Sequence, residues 1–167
     1  MERVRLATLD DADALARVQV DGWRWGDRRS MPDALLDGLS IEARAARWRD
    51  ILRASGPETP TWIASDAGGA TGLASIGPAR EAPAGVGELY ALYVCERAAG
   101  RGDARVLHAV ALESLRQRST RAILWVLERN PRARRFYERH GWRADGGRKA
   151  ETFGGTELTE LRYSIEL

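Results

Sequence analysis

The run AILWVL (residues 122–127) constrains the fold most. Six apolar residues stand together with no polar alternation. That pattern suits a strand buried on both faces of a sheet. Asn130 and Pro131 follow almost at once and make a strong helix start: a side-chain cap, then proline at the first helical position. RARRFYERHG continues that helix, and Gly141 ends it. A second strand–turn–helix unit precedes the first. ELYALYV (88–94) alternates as a strand, with Glu88, Tyr90, Leu92 and Val94 on one side and Leu89, Ala91 and Tyr93 on the other. AAGRGDARVLHA follows, a glycine-rich turn entering a helix whose Leu107, Val110, Ala111 and Leu115 form an apolar stripe.

The rest of the chain fits around these units. VRLAT reads as an opening strand. Thr8 and Asp11 resemble a capping box ahead of a helix carrying Leu15, Val18 and Gly22 on one face. Pro32 suits a helix start and Gly38 a helix end. Ser40 caps a further helix whose Ile41, Ala45, Trp48 and Leu52 share a face. TWIAS and TGLASIG are strands joined by the turn DAGGA, and the C-terminal segment reads as two strands with a glycine-rich connection. The order is strand, helices, three strands, helix, strand, helix, strands: a mixed α/β chain, expected to form one domain over 1–167.

Composition narrows the functions. A formal net charge of +2 gives no strong field for nucleic acid or membrane. RNPRARRFYER holds five arginines, enough for a basic helix face, but Glu128 and Glu138 dilute it. No apolar run approaches the ~20 residues of a spanning helix, and MERVRLATLDDADALARV lacks the apolar core of a secretory signal. The single cysteine, Cys95, fits a reducing cytoplasm and reads as a small buried residue. His108 and His140 are too few for a metal site and suit surface or helix-end roles. Arg101-Gly102-Asp103 spells an integrin-type tripeptide, which reads as coincidence at a helix start.

The loop after ELYALYV is an anion site in outline. Unpaired N–H groups converge at a helix start, and glycines let a ligand approach the backbone. It lacks the Gly-Lys-Ser/Thr of a Walker loop and the spacing of a dinucleotide fingerprint. Asn130 and Tyr137, seven residues apart, lie on one face of the later helix. The two successive units, with Asn130, Ala133, Phe136-Tyr137-Glu138 and Gly141-Trp142, resemble the GNAT superfamily of acyl-CoA-dependent N-acyltransferases. The opening VRLATLDDADALARV and the strand GELYALYV look like members of that family too.

The resemblance implies a central, mostly antiparallel sheet of about six to seven strands, splayed at its centre and flanked by helices. It implies acetyl-CoA as co-substrate, no metal, an amine acceptor (small molecule or protein amino group), and a homodimer as a family-level expectation. The cofactor arm would lie along Leu92, Tyr93 and Val94, and the pyrophosphate on Ala99, Gly100, Arg101, Gly102, Asp103, Ala104 and Arg105. Asn130, Ala133 and Tyr137 would touch the cofactor from the later helix. The family loop runs Gln or Arg, two residues, Gly, one residue, then Gly or Ala. Ala99 replaces the leading residue, and Asp103 stands where an apolar residue is common.

For the chemistry, an alkyl ammonium of pKa ~10 must lose its proton before attack. Glu88 is the candidate base, backbone N–H groups near Leu92 to Val94 are the oxyanion donors, and Tyr137 is the acid for the leaving thiolate. Trp23, Trp25 and Tyr90 are candidate acceptor contacts. A cofactor-binding but catalytically weak domain, acting as sensor or scaffold, is the alternative that the altered loop raises. A carboxylate within ~6 Å of pyrophosphate disfavours binding, so on sequence grounds Asp103→Val is expected to tighten acetyl-CoA binding, measured by calorimetry.

Overall fold

The computed structural model describes residues 3–167. Seven strands form one sheet in the order β1-β2-β3-β4-β5-β7-β6. They are β1 Val4–Leu6, β2 Thr61–Asp66, β3 Gly69–Pro78, β4 Val86–Val94, β5 Arg121–Leu127, β6 Arg143–Phe153 and β7 Thr156–Glu166. The helices are α1 Ala12–Gly26, α2 Asp33–Asp37, α3 Ile41–Ala54, α4 Asp103–Arg116 and α5 Pro131–Arg139. Every adjacent strand pair is antiparallel except β4–β5.

Local signals set most boundaries. Asp11 accepts from the Thr8 backbone N–H at 2.8 Å and leads through a short 3-10 turn into α1. The Ser40 hydroxyl accepts from Ala43 N–H at 3.0 Å, and the Asn130 side chain accepts from Ala133 N–H at 3.0 Å. Each satisfies a donor that the helix itself leaves unpaired. Pro32 sits one residue ahead of the helix it was expected to begin, as the N-cap of α2.

Two apolar layers sandwich the sheet. On one face Leu107, Ala111, Leu112 and Leu115 of α4 pack on Trp62, Ala74, Ile76, Leu89, Leu124 and Val126, with α5 contributing Ala133 and Tyr137. On the other, Leu15 and Val18 of α1 and Ala45 and Trp48 of α3 cover Ile63 and Leu73. Gly22 lets α1 come close to β4, since a Cβ there would sit 3.1 Å from the Val94 carbonyl oxygen.

The strict alternation expected for ELYALYV fails at one residue. Ala91 pairs with Ser75, but Leu89 pairs with Ile76, so Tyr90 is an extra residue in β4. Such a bulge flips the facing of what precedes it. Leu89 therefore joins Leu92 and Val94 in the α4 layer, while Ala91 and Tyr93 belong to the α1 layer. AILWVL is likewise covered on both faces at Ala122, Ile123, Leu124 and Val126, but not at Trp125, which is half-buried.

His108 is not at the surface, as the sequence suggested, but 3% exposed inside the α4 layer. Its Nε2 accepts from the Trp142 indole N–H at 2.9 Å, and its ring lies 5.0 Å from that of His140. Burial, with help from His140 and Arg116, pulls its pKa from 6.5 down to about 4. The folded protein thus holds a neutral imidazole that the unfolded chain would protonate below about 6.5. Stability is full above that pH and falls as pH drops toward 4, by on the order of 3 kcal/mol in total. Urea unfolding at pH 7 and pH 5 is expected to show about 2 kcal/mol of this loss, and His108→Gln to flatten it.

Candidate functional site

The β4–β5 ladder is short. It joins Val86 to Arg121, Gly87 to Ala122 and Glu88 to Ile123, and then stops. β4 stays with β3 as far as Val94, and β5 stays with β7 as far as Leu127. Beyond Glu88 the two parallel strands diverge and leave a wedge between them. A cleft of about 510 Å³ fills this wedge, walled by Leu89–Val94 of β4, Trp125–Leu127 of β5, the start of α4, and α5. It lies at the carboxyl ends of parallel neighbours, where open α/β sheets bind ligands.

The β4 wall carries unpaired backbone. Cys95 N–H donates to the Thr71 carbonyl at 2.9 Å, so that residue faces β3. Strand periodicity then turns the N–H and C=O of Val94 and Leu92 away from β3, into the wedge. The Trp25 indole N–H donates to the Val94 carbonyl at 3.0 Å, as that orientation requires.

At the α4 end, Gly100 (φ 74°) and Gly102 (φ 92°) take left-handed conformations that favour glycine. The first helical bond runs from Val106 N–H to the Gly102 carbonyl at 3.1 Å. The N–H groups of Asp103, Ala104 and Arg105 therefore have no helical partner, and the helix dipole adds positive potential. Ala99, Gly100, Gly102, Ala104 and Arg105 all line the cleft, and Arg139 adds a second cation.

Two members of the expected loop set lie outside the lining. The Arg101 guanidinium turns to Asp66 at 3.6 Å. Asp103 is 3% exposed and ion-paired with Arg3, which also donates to the Arg101 carbonyl. Its charge is neutralised away from the cleft, which removes the physical basis for repulsion of a pyrophosphate. It also means that the Arg-Gly-Asp tripeptide is not presented as an exposed motif.

On the far wall Tyr137 packs its ring against Phe136 and Trp142, at centroid distances of 5.5 and 6.2 Å, while the residue borders the cleft. Burial, reinforced by Tyr93 and Asp27, holds its phenol well above the ordinary tyrosine pKa. Asn130 lines the cleft too, but its amide is committed. Its oxygen caps α5, and its Nδ2 donates to Asp27 at 2.5 Å. Ala133, Trp23, Trp25 and Tyr90 are all part of the lining.

Glu88 is not among the lining residues. Its buried carboxylate accepts from Arg80 at the backbone N–H (2.9 Å) and at the guanidinium (2.5 Å). Arg80 also covers the Tyr90 ring at 4.7 Å. Glu88 thus stands at the apex of the wedge, capped by an exposed arginine.

Sequence reasoning missed the acids that the cleft does contain. Asp27, 6% exposed, follows α1; burial raises its pKa to about 6 against the lowering effects of Asn130 and Arg132. Glu160 of β7 is raised by burial and partly offset by Lys149. Asp27 had a faint signal, lying beside Trp23 and Trp25 in the chain. Glu160, Trp125 and Phe153 had none, since strand pairing and hairpin placement bring them in. Arg132 stacks on Trp25 at 3.9 Å. With the Asp27–Asn130 bond and the Ser30 hydroxyl donating to the Arg129 carbonyl at 2.8 Å, it straps α1 and its following turn to α5. The arginines of α5 are therefore dispersed: Arg134 donates to the Tyr163 hydroxyl, and Arg139 lines the cleft.

No group of three or more potential metal ligands occurs among the described residues, and no helix there is long and apolar enough to cross a membrane. Asp103→Asn is expected to leave acetyl-CoA affinity unchanged within about twofold while lowering stability by about 1 kcal/mol. Calorimetric titration and urea unfolding check the two halves separately.

Comparison with known proteins agrees with this geometry. The profile of the Acetyltransferase (GNAT) family matches residues 20–142. An uncharacterized N-acetyltransferase of Bacillus subtilis (strain 168), YuaI, is 34% identical over 134 residues, covering 78% of this chain and 75% of the relative. Among solved structures, the PaiA N-acetyltransferase of Thermoplasma acidophilum in complex with coenzyme A superimposes with TM-score 0.78 at 15% identity, over 100% of both chains. The ribosomal-protein-alanine N-acetyltransferase of Brucella melitensis gives TM-score 0.73 at 24% identity, covering 98% of this chain and 99% of that one. At these identities the structural matches establish the shared fold. With the profile covering most of the chain and the Bacillus relative covering three quarters of it, the chain belongs to the GNAT acetyltransferase family.

Proposed function

We propose that the protein transfers an acetyl group from acetyl-CoA to a primary amine by direct attack, in the cytoplasm. One observation carries the reading. A single cleft joins the outward-facing backbone of Leu92 and Val94, a glycine-bordered helix start, and Tyr137. Acetyl-CoA supplies an acyl group already activated as a thioester. The residues fit it: an added Cβ at Gly100 or Gly102 would meet nothing within 4 Å, so the loop is open to a ligand. The N–H groups of Asp103, Ala104 and Arg105 would hold the pyrophosphate with the Arg105 side chain. The Leu92 and Val94 carbonyls would accept from the amides of the arm, and Trp25 must then release the Val94 carbonyl.

The acceptor enters as an ammonium and gives a proton to Glu88, directly or through water, once Arg80 swings aside. The amine nitrogen then forms a bond to the acyl carbon as the carbon–sulfur bond breaks. Backbone N–H groups of Leu92 and Val94 supply fixed donors for the developing negative charge. Tyr137 gives the departing sulfur its proton, and the phenolate left behind takes up, directly or through water, the second proton that the nitrogen sheds as it becomes an amide. With its pKa held high, the phenol stays protonated throughout the neutral range. A second reading assigns the base to Asp27, the buried carboxylate that borders the cleft with a pKa near 6. The pairing of Asp103 with Arg3 favours the transferase reading over the sensor alternative, while Ala99 still stands where the family loop has Gln or Arg.

Thiol release from acetyl-CoA across a panel of primary amines tests the transferase reading; no release with any amine would overturn it. Tyr137→Phe is expected to lower kcat by about 10–100-fold, with a smaller change in the KM for acetyl-CoA. Glu88→Gln is expected to lower kcat/KM for the amine at pH 7, with the deficit shrinking as pH rises toward the amine pKa of ~10. If Asp27→Asn shows that rescue by alkali and Glu88→Gln does not, the base is Asp27.

A further inference from the structure

A second cavity adjoins the cleft and is built from different elements. It runs between α2, α3 and the β6–β7 turn, has a volume of about 770 Å³, and shares Trp23, Met31 and Phe153 with the cleft. Trp23, Met31 and Phe153 therefore form the boundary between the two. Arg44 of α3 stands at this junction, with its guanidinium 4.6 Å from the centre of the Trp23 ring. Arg47, one helical turn on, lines the same cavity.

Of the four arginines of this helix, Arg44 and Arg47 have no ion-pair partner among the described residues, and Arg44 is the half-buried one of those two. Arg49 pairs with Asp13 at 2.7 Å, and Arg53 with Asp50 at 3.5 Å. No carboxylate among the described residues lies within 4.0 Å of the Arg44 guanidinium. It is half-buried, and burial lowers its pKa. Of the groups around it, Arg47 opposes its charge, and Tyr93, whose pKa is pushed up to about 12, is a neutral phenol in the neutral range. The Tyr93 hydroxyl already accepts from Trp23 Nε1 at 2.8 Å, which fixes both rings beneath the guanidinium. A half-buried cation without a counter-ion, beside a second cation of like sign, is costly to keep unless an anion arrives to pair with it. The indole face orients the planar donor fork without using its N–H groups.

The cleft beyond Trp23 holds the carboxylates Asp27, with Arg132 beside it, and Glu160, with Lys149 beside it, and has Trp125 and Phe153 among its apolar walls. A molecule that spans the junction meets carboxylates at one end and Arg44 at the other.

We propose that the acceptor is a zwitterion: its amine lies in the cleft, and an oxyanion on the same molecule, foremost the carboxylate of an amino acid with an apolar side chain, is bound by Arg44 with Arg47 beside it. This rests on the transferase reading above and specifies its substrate class. Arg44 is then a specificity residue. It acts on the binding of one kind of acceptor and leaves the cofactor end untouched.

The test compares matched acceptors at saturating acetyl-CoA, with thiol release as readout. L-phenylalanine and L-methionine are set against their amides, which keep the amine and lose the negative charge. O-phosphoethanolamine is set against ethanolamine, to separate a phosphate source from a carboxylate. Wild type is expected to favour an anionic member of these pairs. Arg44→Met is expected to lower kcat/KM for that member by about 10–100-fold, chiefly through KM, while the uncharged partner changes by less than about threefold. The KM for acetyl-CoA stays constant, and Arg44→Lys recovers part of the loss. Equal losses on both members of each pair, or no preference in wild type, would overturn the proposal. Dependence on Arg44 for O-phosphoethanolamine alone would retain the oxyanion site and replace the carboxylate by phosphate. Should no amine release thiol, the transferase reading fails by itself. Calorimetric titration of L-phenylalanine, L-methionine and O-phosphoethanolamine into the coenzyme A complex then decides the site, with binding to wild type and not to Arg44→Met supporting it, and no binding to wild type refuting it.

Discussion

The parallel ladder between β4 and β5 ends after Glu88, and the architecture of the cleft depends on that ending. Each strand is held on its outer side over its whole length, β4 by β3 and β5 by β7. The sheet therefore splits into two stable halves rather than fraying. The backbone left over on the inner side of β4 must find partners. Trp25 satisfies the Val94 carbonyl; the remaining groups face the cleft. A strand edge of this kind can pair with an extended ligand as it would with another strand. The β-bulge at Tyr90 lies two residues beyond the last inter-half pair, so the change of facing and the divergence of the strands occur together.

A wedge between two half-sheets needs something to set its width. Contacts between the end of α1 and the start of α5 do so: Arg132 on Trp25, Asn130 on Asp27, and Ser30 on Arg129. They draw together one helix from each layer of the sandwich. They also bury Asp27, whose raised pKa is the electrostatic cost of that closure. The result is a cleft with unlike ends. The α4 end has free N–H groups, a helix dipole and Arg105; elsewhere the cleft has Asp27 with Arg132 beside it, Glu160, and a set of aromatic rings. An anionic cofactor and a cationic amine would be sorted by this field before any specific contact is made.

Much of this was legible in the chain. Strand and helix identities, the caps at Ser40 and Asn130, and the glycines of the α4 loop follow from local chemistry, since the groups that satisfy each other lie within a few residues. One wall of the cleft was legible for the same reason: Leu92, Val94, Gly100, Gly102 and Tyr137 belong to two continuous strand–helix segments. The side-chain readings that changed involve partners outside the local turn or helix, far along the chain for Asp103 and His108 and across the β3–β4 loop for Glu88. Asp103 looked like a ligand contact until Arg3, a hundred residues away, turned it aside. Glu88 looked accessible until Arg80 folded over it. His108 looked like a surface residue until Trp142 supplied a donor within the core.

What the sequence determined by itself was the kind of sheet, the order of its elements, and the two segments that meet at its centre, because periodicity and capping act within a few residues. Tertiary structure alone decided which polar side chains face the cleft. Asp27, Glu160, Trp125 and Arg44 come from four elements whose spacing along the chain carries no common signal. Their charges acquire meaning only through burial and through the presence or absence of a partner, and both are properties of the packed whole.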